Sequence, residues 1–125
     1  MNAATLAKAA YARPQTVLGS PRALEYELLA RATAALAAAT ERDSLDFPAL
    51  AEALDRNLRL WSRLAADVAG EGNQLPKDLR ARLFYLYEFT EVQTRKVLDG
   101  SASVEVLIDV NTAVMRGLRG EGGKP

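Results

Sequence analysis

Cysteine and histidine are both absent from this chain. Without them there is no thiol nucleophile, no imidazole base and no Cys/His zinc site. No disulfide can form, which fits a reducing compartment. Charge of one sign is missing too: sixteen basic residues balance sixteen acidic ones, and the signs are interspersed. Nothing resembles a basic stripe for a phosphate backbone, so direct contact with nucleic acid is disfavoured. No apolar run approaches the roughly 20 residues needed to span a bilayer, so no membrane association is expected. The N-terminus also lacks the apolar stretch of a signal peptide. These absences together point to a cytoplasmic protein.

What is present is helical. Ala, Leu, Arg and Glu dominate, and β-branched runs are few. At 125 residues the chain fits one domain. The expected fold is all-α: a compact bundle of four main helices plus a short N-terminal helix. The ordered core is expected over about 5–118, with a flexible tail at 119–125. Helices rich in alanine bury little area per residue, so stability is expected to be modest, about 5 kcal/mol.

The central helix is read from Asp46 to Glu71. Asp46 caps it, Pro48 sits in its first turn, and Gly70 and Gly72 offer a left-handed exit. Leu50, Leu54, Trp61, Leu64 and Val68 recur at a helical period, and Asn57 lies one turn before Trp61. Upstream, residues Thr5 to Arg13 can form a short helix that is ordered only if it docks. Pro14 to Gly19 form a linker, and Ser20-Pro21 starts a longer helix. Its buried face is expected to be Leu24, Leu28, Ala32, Ala35, Leu36 and Ala39, ending near Ala39 to Glu41. Arg22 and Tyr26 share another face.

Downstream, Asn73 is placed to turn the backbone with its amide, and Pro76 opens a helix running to about Asp99. Leu79, Leu83, Leu86, Thr90, Gln93 and Val97 form its a/d-like series. Phe84, Tyr85, Tyr87 and Phe89 surround that series, more than a helix packed on one side can bury. Either this helix is central or part of the cluster meets a partner. A homodimer seam at Phe84 and Tyr87 is one use of such a patch. Gly100 stops the helix, and Ser101 or Ser103 caps the last one. Leu107, Val110, Val114 and Leu118 form its stripe, with Asn111 beside it. The tail from Gly117 is glycine-rich.

Chemistry is scarce. Glu25, Glu52, Asp55, Asp67, Glu88, Glu91 and Asp109 read as solvated helix surface rather than as general acids. No Glu-x-x-His signature of a carboxylate-bridged metal bundle occurs. Gly70 to Asn73 lacks the Lys-Ser/Thr tail of a phosphate loop. No enzyme activity, metal or cofactor is expected. Asn57 and Asn111 each carry two readings. A buried amide must be hydrogen-bonded, so each either satisfies a neighbouring helix end or loop, or fixes the pose of a bound peptide.

Several stretches in order resemble the FlaF family of bacterial flagellar biosynthesis regulators. They are SPRALEY at Ser20–Tyr26 with RAT at Arg31–Thr33, then NLRLW at Asn57–Trp61 with LAADV at Leu64–Val68. NQLP at Asn73–Pro76 and LRARL at Leu79–Leu83 follow, and LIDVN at Leu107–Asn111 with MRGL at Met115–Leu118 closes the series. The resemblance implies a small non-enzymatic regulator of flagellin synthesis, linked to flagellin secretion in the manner of an export chaperone. It implies flagellin as the partner, with FlbT as a second candidate and action through FlbT or the flagellin message as the alternative mode. Arg22, Tyr26, Asn57, Trp61, Phe84, Tyr87 and Asn111 are the residues expected to contact a partner or to support its groove.

Overall fold

The computed structural model describes residues 21–41, 46–73 and 75–119, without the side chains of 21–23 and 119. The expected helix at Thr5 to Arg13, the linker to Gly19, the Ser20 cap and the tail from 120 on lie outside the described residues. Four helices make up the rest: α1 Pro21–Thr40, α2 Phe47–Ala69, α3 Lys77–Leu98 and α4 Glu105–Arg119. The fold is therefore an all-α compact bundle of four helices.

Local chemistry sets the ends. The Asp46 carboxylate accepts from the Ala49 N–H at 3.1 Å, and Pro48 occupies the first turn of α2, where a missing N–H costs nothing. The far end departs from the left-handed exit expected there. Gly70 lies at φ −72 and ψ 147, and Gly100 is the one glycine of positive φ among the described residues. Asn73 does the turning instead. Its amide nitrogen donates to Asp67 at 3.2 Å and its Oδ1 accepts from the Leu75 N–H at 3.0 Å. A short amide side chain of this kind mimics a backbone turn, so no left-handed glycine is required.

At the end of α3, Gly100 adopts φ 86, and the Ser101 N–H reaches back to the Lys96 carbonyl at 2.9 Å. Ser103, not Ser101, caps α4: its hydroxyl accepts from the Glu105 N–H at 3.1 Å. In this turn the Ser101 hydroxyl holds the Asp99 carboxyl below its ordinary value of 3.8, followed in weight by the Ser101 N–H and then by nearby Lys96. A depressed carboxylate contributes stability above its unfolded value and loses it as pH falls through the lower folded value. A carboxyl titration by NMR should therefore give Asp99 a midpoint below 3.8, rising in Ser101→Ala. A midpoint at or above that value would remove the Ser101 contacts.

Around the bundle, α1 packs on α2 and on α4, α2 packs on α3, and α3 meets α4 more sparingly. Thus α2 and α4 face each other across one diagonal, and α1 and α3 across the other. One apolar cluster joins Leu36, Ala39, Leu50, Leu54, Val97, Val104 and Leu107. A second joins Leu29, Ala32, Leu60, Trp61 and Leu118. A third, smaller one of Val68, Leu75 and Leu79 closes the end of the α2–α3 pair. Burying a leucine as fully as Leu29, Leu36 or Leu54 contributes about 1.5–3 kcal/mol each.

The α1 face differs from the one expected. Leu24 is 54% exposed and Leu29 is fully buried, so Leu29, Ala32, Leu36 and Ala39 form the real stripe. Leucines and alanines encircle α1, so its own pattern selects no face. Packing between α2 and α4 selects it. The last helix continues through Gly117 to Arg119, because Leu118 is anchored beside Trp61 and Leu29.

Candidate functional site

Between the two large apolar clusters lies a polar layer. Trp61 determines how it is arranged. The indole N–H can only donate, and it donates to Asn111 Oδ1 at 2.9 Å. The Asn111 oxygen must therefore face Trp61, which leaves its NH₂ to serve the other side of the layer. That NH₂ donates to Asn57 Oδ1 at 2.8 Å and to Thr33 Oγ1 at 3.1 Å. Thr33 passes its own proton to the Leu29 carbonyl at 2.7 Å. The chain of donors leaves Asn57 with its oxygen used and its NH₂ turned elsewhere, and Asn57 Nδ2 is buried with no hydrogen-bond partner.

A second orphan sits on α3. Thr90 is 0% exposed and its hydroxyl also has no partner. The register of the antiparallel α2–α3 pair places it. Val68 clusters with Leu79 at one end, and Leu50 with Val97 at the other. Asn57 lies eleven residues before Val68, and Thr90 eleven after Leu79. Thr90 is thus the α3 position level with Asn57, so each helix gives one polar residue to the layer: Thr33, Asn57, Thr90 and Asn111. A turn on, Thr94 donates to the Thr90 carbonyl at 2.6 Å, and the Gln93 amide reaches the Ser103 carbonyl at 3.4 Å. A buried hydroxyl without a partner destabilises, so Thr90→Val should stabilise the bundle by about 1 kcal/mol in urea denaturation. A loss of stability on that substitution would mean that the hydroxyl is hydrogen-bonded.

The residues expected at a partner site fall into three groups. Asn57, Trp61 and Asn111 come together inside the bundle, at 0%, 0% and 1% exposure. They are bonded to one another and to Thr33, and in the closed bundle they touch no solvent. Tyr26 is half-buried and packs against the cluster around Trp61. Arg22 lies in the first turn of α1, and its side chain is outside the described residues. Phe84 is exposed on α3, whereas Tyr87, expected beside it on a surface patch, is half-buried against the Trp61 cluster because it lies on the inner flank of the helix; the two rings meet edge to face with centroids 5.8 Å apart and planes at 69°.

Of the two alternatives for the α3 aromatics, exposure is the one observed: Phe84 is 39% and Tyr85 64% exposed. Tyr85 is the most exposed large apolar side chain among the described residues, and the sequence reading did not single it out as a site residue. Thr33 was missed as well. The available signal was that it is a lone uncharged polar residue in the interior of an alanine-rich helix.

Elsewhere the polar chemistry is superficial except at Arg80 on α3, whose Nε is buried with no hydrogen-bond partner. The ion pairs Glu27–Arg31, Asp55–Arg59 and Glu91–Arg95 are exposed i,i+4 pairs at 3.4, 3.0 and 3.9 Å. Each is worth a few tenths of a kcal/mol. Among the described residues no group of His, Cys, Asp and Glu could hold a metal ion, and no helix is long and apolar enough to cross a membrane.

These features define a small helical bundle with a polar, internally bonded centre and an aromatic outer face on one helix. The chain belongs to the family described as Flagellar protein FlaF, whose pattern matches residues 7–118. The match spans all four helices, and membership associates the chain with the regulation of flagellum biogenesis. No curated protein and no solved structure matches it.

Proposed function

We propose that this protein is a cytoplasmic, non-enzymatic flagellin-binding chaperone, through which it regulates flagellin synthesis and flagellum assembly. The observation that carries the reading is the aromatic surface of α3, where Phe84 and Tyr85 stay exposed together with Val92 and Leu98 on the same helix. Exposed aromatics grouped on one face are what an amphipathic partner helix needs for anchoring. Membership in a flagellar protein family supports a flagellar partner. In this reading Asn57, Trp61 and Asn111 support the face from beneath rather than contact the client. They hold α2 and α4 at fixed separation, and α3 rests on α2.

The test is calorimetric titration with flagellin monomer, repeated with flagellin lacking its terminal helices. Saturable binding with a negative heat-capacity change, lost on truncation, is the expected result. Absence of binding to either form would shift the assignment to FlbT or the flagellin message.

A further inference from the structure

Arg80 is the one charged side chain among the described residues with a buried, unpartnered donor. Its Nε is covered by the bundle and has no hydrogen-bond partner. None of the ion pairs of the described residues uses it. The cause is local. The side chains one turn away on α3 are Pro76, Lys77, Leu83 and Phe84, so no carboxylate stands three or four residues off. A guanidinium dried on one side without an acceptor is costly, which favours a counter-charge from outside the chain.

Arg80 also starts a line. Arg80, Phe84, Tyr87 and Glu91 follow at steps of four, three and four residues, the spacing of a helix–helix seam. On α3 this line lies about a quarter turn round from the buried line of Leu79, Thr90 and Val97. Its members are therefore neither core nor fully solvated: Phe84 is exposed, and Arg80, Tyr87 and Glu91 are partly buried. Glu91 is held only by Arg95 at 3.9 Å, beyond hydrogen-bond distance.

The line reads the same in both directions. In a two-fold contact, if one residue meets a second, the second also meets the first. Lay two copies of α3 antiparallel, with Phe84 opposite the partner's Tyr87. Arg80 then falls opposite the partner's Glu91, because both pairs straddle the same midpoint between Tyr85 and Leu86. Two aromatic contacts are bracketed by two ion pairs, about 16 Å apart along each helix. Parallel pairing would instead set Arg80 beside Arg80 and Glu91 beside Glu91. A shift by one heptad would set Arg80 opposite Leu98 or Phe84. Charge therefore selects one orientation and one register.

We propose that this protein self-associates as a two-fold dimer through the flank of α3. The two helices run antiparallel, Arg80 pairs with Glu91 of the partner subunit, and Phe84 packs on the accessible edge of the partner's Tyr87. A seam of three turns is small beside the roughly 1,200–2,000 Å² of stable complexes, so the dimer is weak and reversible. It needs no client. Phe84 is common to this seam and to the client surface, so a client anchored there competes with the second copy.

Sedimentation equilibrium from about 5 to 500 µM tests the seam with no client present. The unaltered chain is expected to dimerise with a Kd of about 10–100 µM. Arg80→Glu and Glu91→Arg each bring like charges together twice per dimer, so each alone should weaken association at least about tenfold. Mixed in equal amounts, the two variants should pair with each other within about threefold of the original affinity, because each supplies the charge that the other lacks. An unaltered chain that stays monomeric throughout, single variants that dimerise as it does, or a mixture that stays monomeric would each overturn the seam. If Arg80→Glu fails to fold, Glu91→Arg, at a side chain 41% exposed, and Phe84→Ser carry the measurement. Each should weaken association at least about tenfold, and an unchanged Kd in either would overturn the seam.

Discussion

Asn111→Ala should destabilise the bundle by about 3–5 kcal/mol, a large share of the roughly 5–15 kcal/mol that a domain commonly has. Three hydrogen bonds end on that one amide: Trp61 Nε1 at 2.9 Å, Asn57 Oδ1 at 2.8 Å and Thr33 Oγ1 at 3.1 Å. Removing it leaves the indole N–H buried with no acceptor and the Asn57 side chain with no bond at all. Each stranded group costs about 1–3 kcal/mol. A cavity between Trp61 and Thr33 adds to that. Trp61 is the only tryptophan, so its fluorescence reports both the denaturation curve and its own surroundings. Asn111→Asp separates bonding from volume. It keeps an acceptor for Trp61 but presents oxygen to Asn57 Oδ1 and Thr33, and it should cost at least about 3 kcal/mol despite its matched size. A loss under about 1 kcal/mol in both variants would mean that the network contributes little.

The layer also makes sense as a device for specificity. An Ala/Leu-rich bundle has many near-equivalent ways to pack, because small apolar side chains accept several registers. A polar residue at one level of each helix is satisfied in one alignment only. Sliding α4 by a turn would place Asn111 against leucine and strand its amide. A single buried Asn plays this role in coiled coils, at a cost in stability. Here the cost is visible in the two unpaired groups, Asn57 Nδ2 and Thr90 Oγ1. α3 carries the weaker share, since its buried positions include Thr90, Gln93 and Thr94 as well as Leu79 and Val97. It is the helix whose attachment rests least on apolar burial.

Much of the architecture was legible in the sequence because strong local signals stand at the ends of elements. Asp46 with Pro48, Pro76, Gly100 and Ser103 each act through near neighbours. The stripes of α2 and α4 were legible for a related reason: Leu50, Leu54, Trp61 and Val68, or Leu107 and Leu118, alternate with charge, so period alone identifies the inner face. α1 has no such contrast. Leu24 and Leu28, a turn apart, share one side and Leu29 lies about 100° further round, and only the neighbouring helices decide that Leu29 goes in. The left-handed exit expected after α2 failed because Asn73 supplies the turn from three residues away. Asn57 and Asn111 drew attention as amides on apolar stripes. That they meet each other, 54 residues apart, is set by tertiary register, which no local pattern encodes.

The second large effect concerns the outer face of α3. Replacing Phe84 and Tyr85 together by serine should weaken flagellin binding by about 30- to 100-fold, the loss typical of two aromatic anchors at the centre of an interface. The same double change should alter stability by under about 1.5 kcal/mol, because Tyr85 is 64% and Phe84 39% exposed in the free protein. This separation of binding from stability is what distinguishes a contact surface from a packing surface. Leu24, 54% exposed on α1, and Phe47, 50% exposed at the start of α2, provide the control. They are apolar and accessible but lie on other helices, so Leu24→Ser and Phe47→Ser should leave affinity within about twofold, as surface changes outside an interface do. Equal weakening by all three variants would indicate a client that spreads over the whole bundle. Retained affinity in the α3 variant, with a lost tendency to self-associate in sedimentation, would make the same aromatics a seam between two copies. Asn57, Trp61 and Asn111 enter this measurement only through stability. Asn111→Ala should lower client affinity in proportion to the folded fraction, whereas Phe84 and Tyr85 should act at full folding.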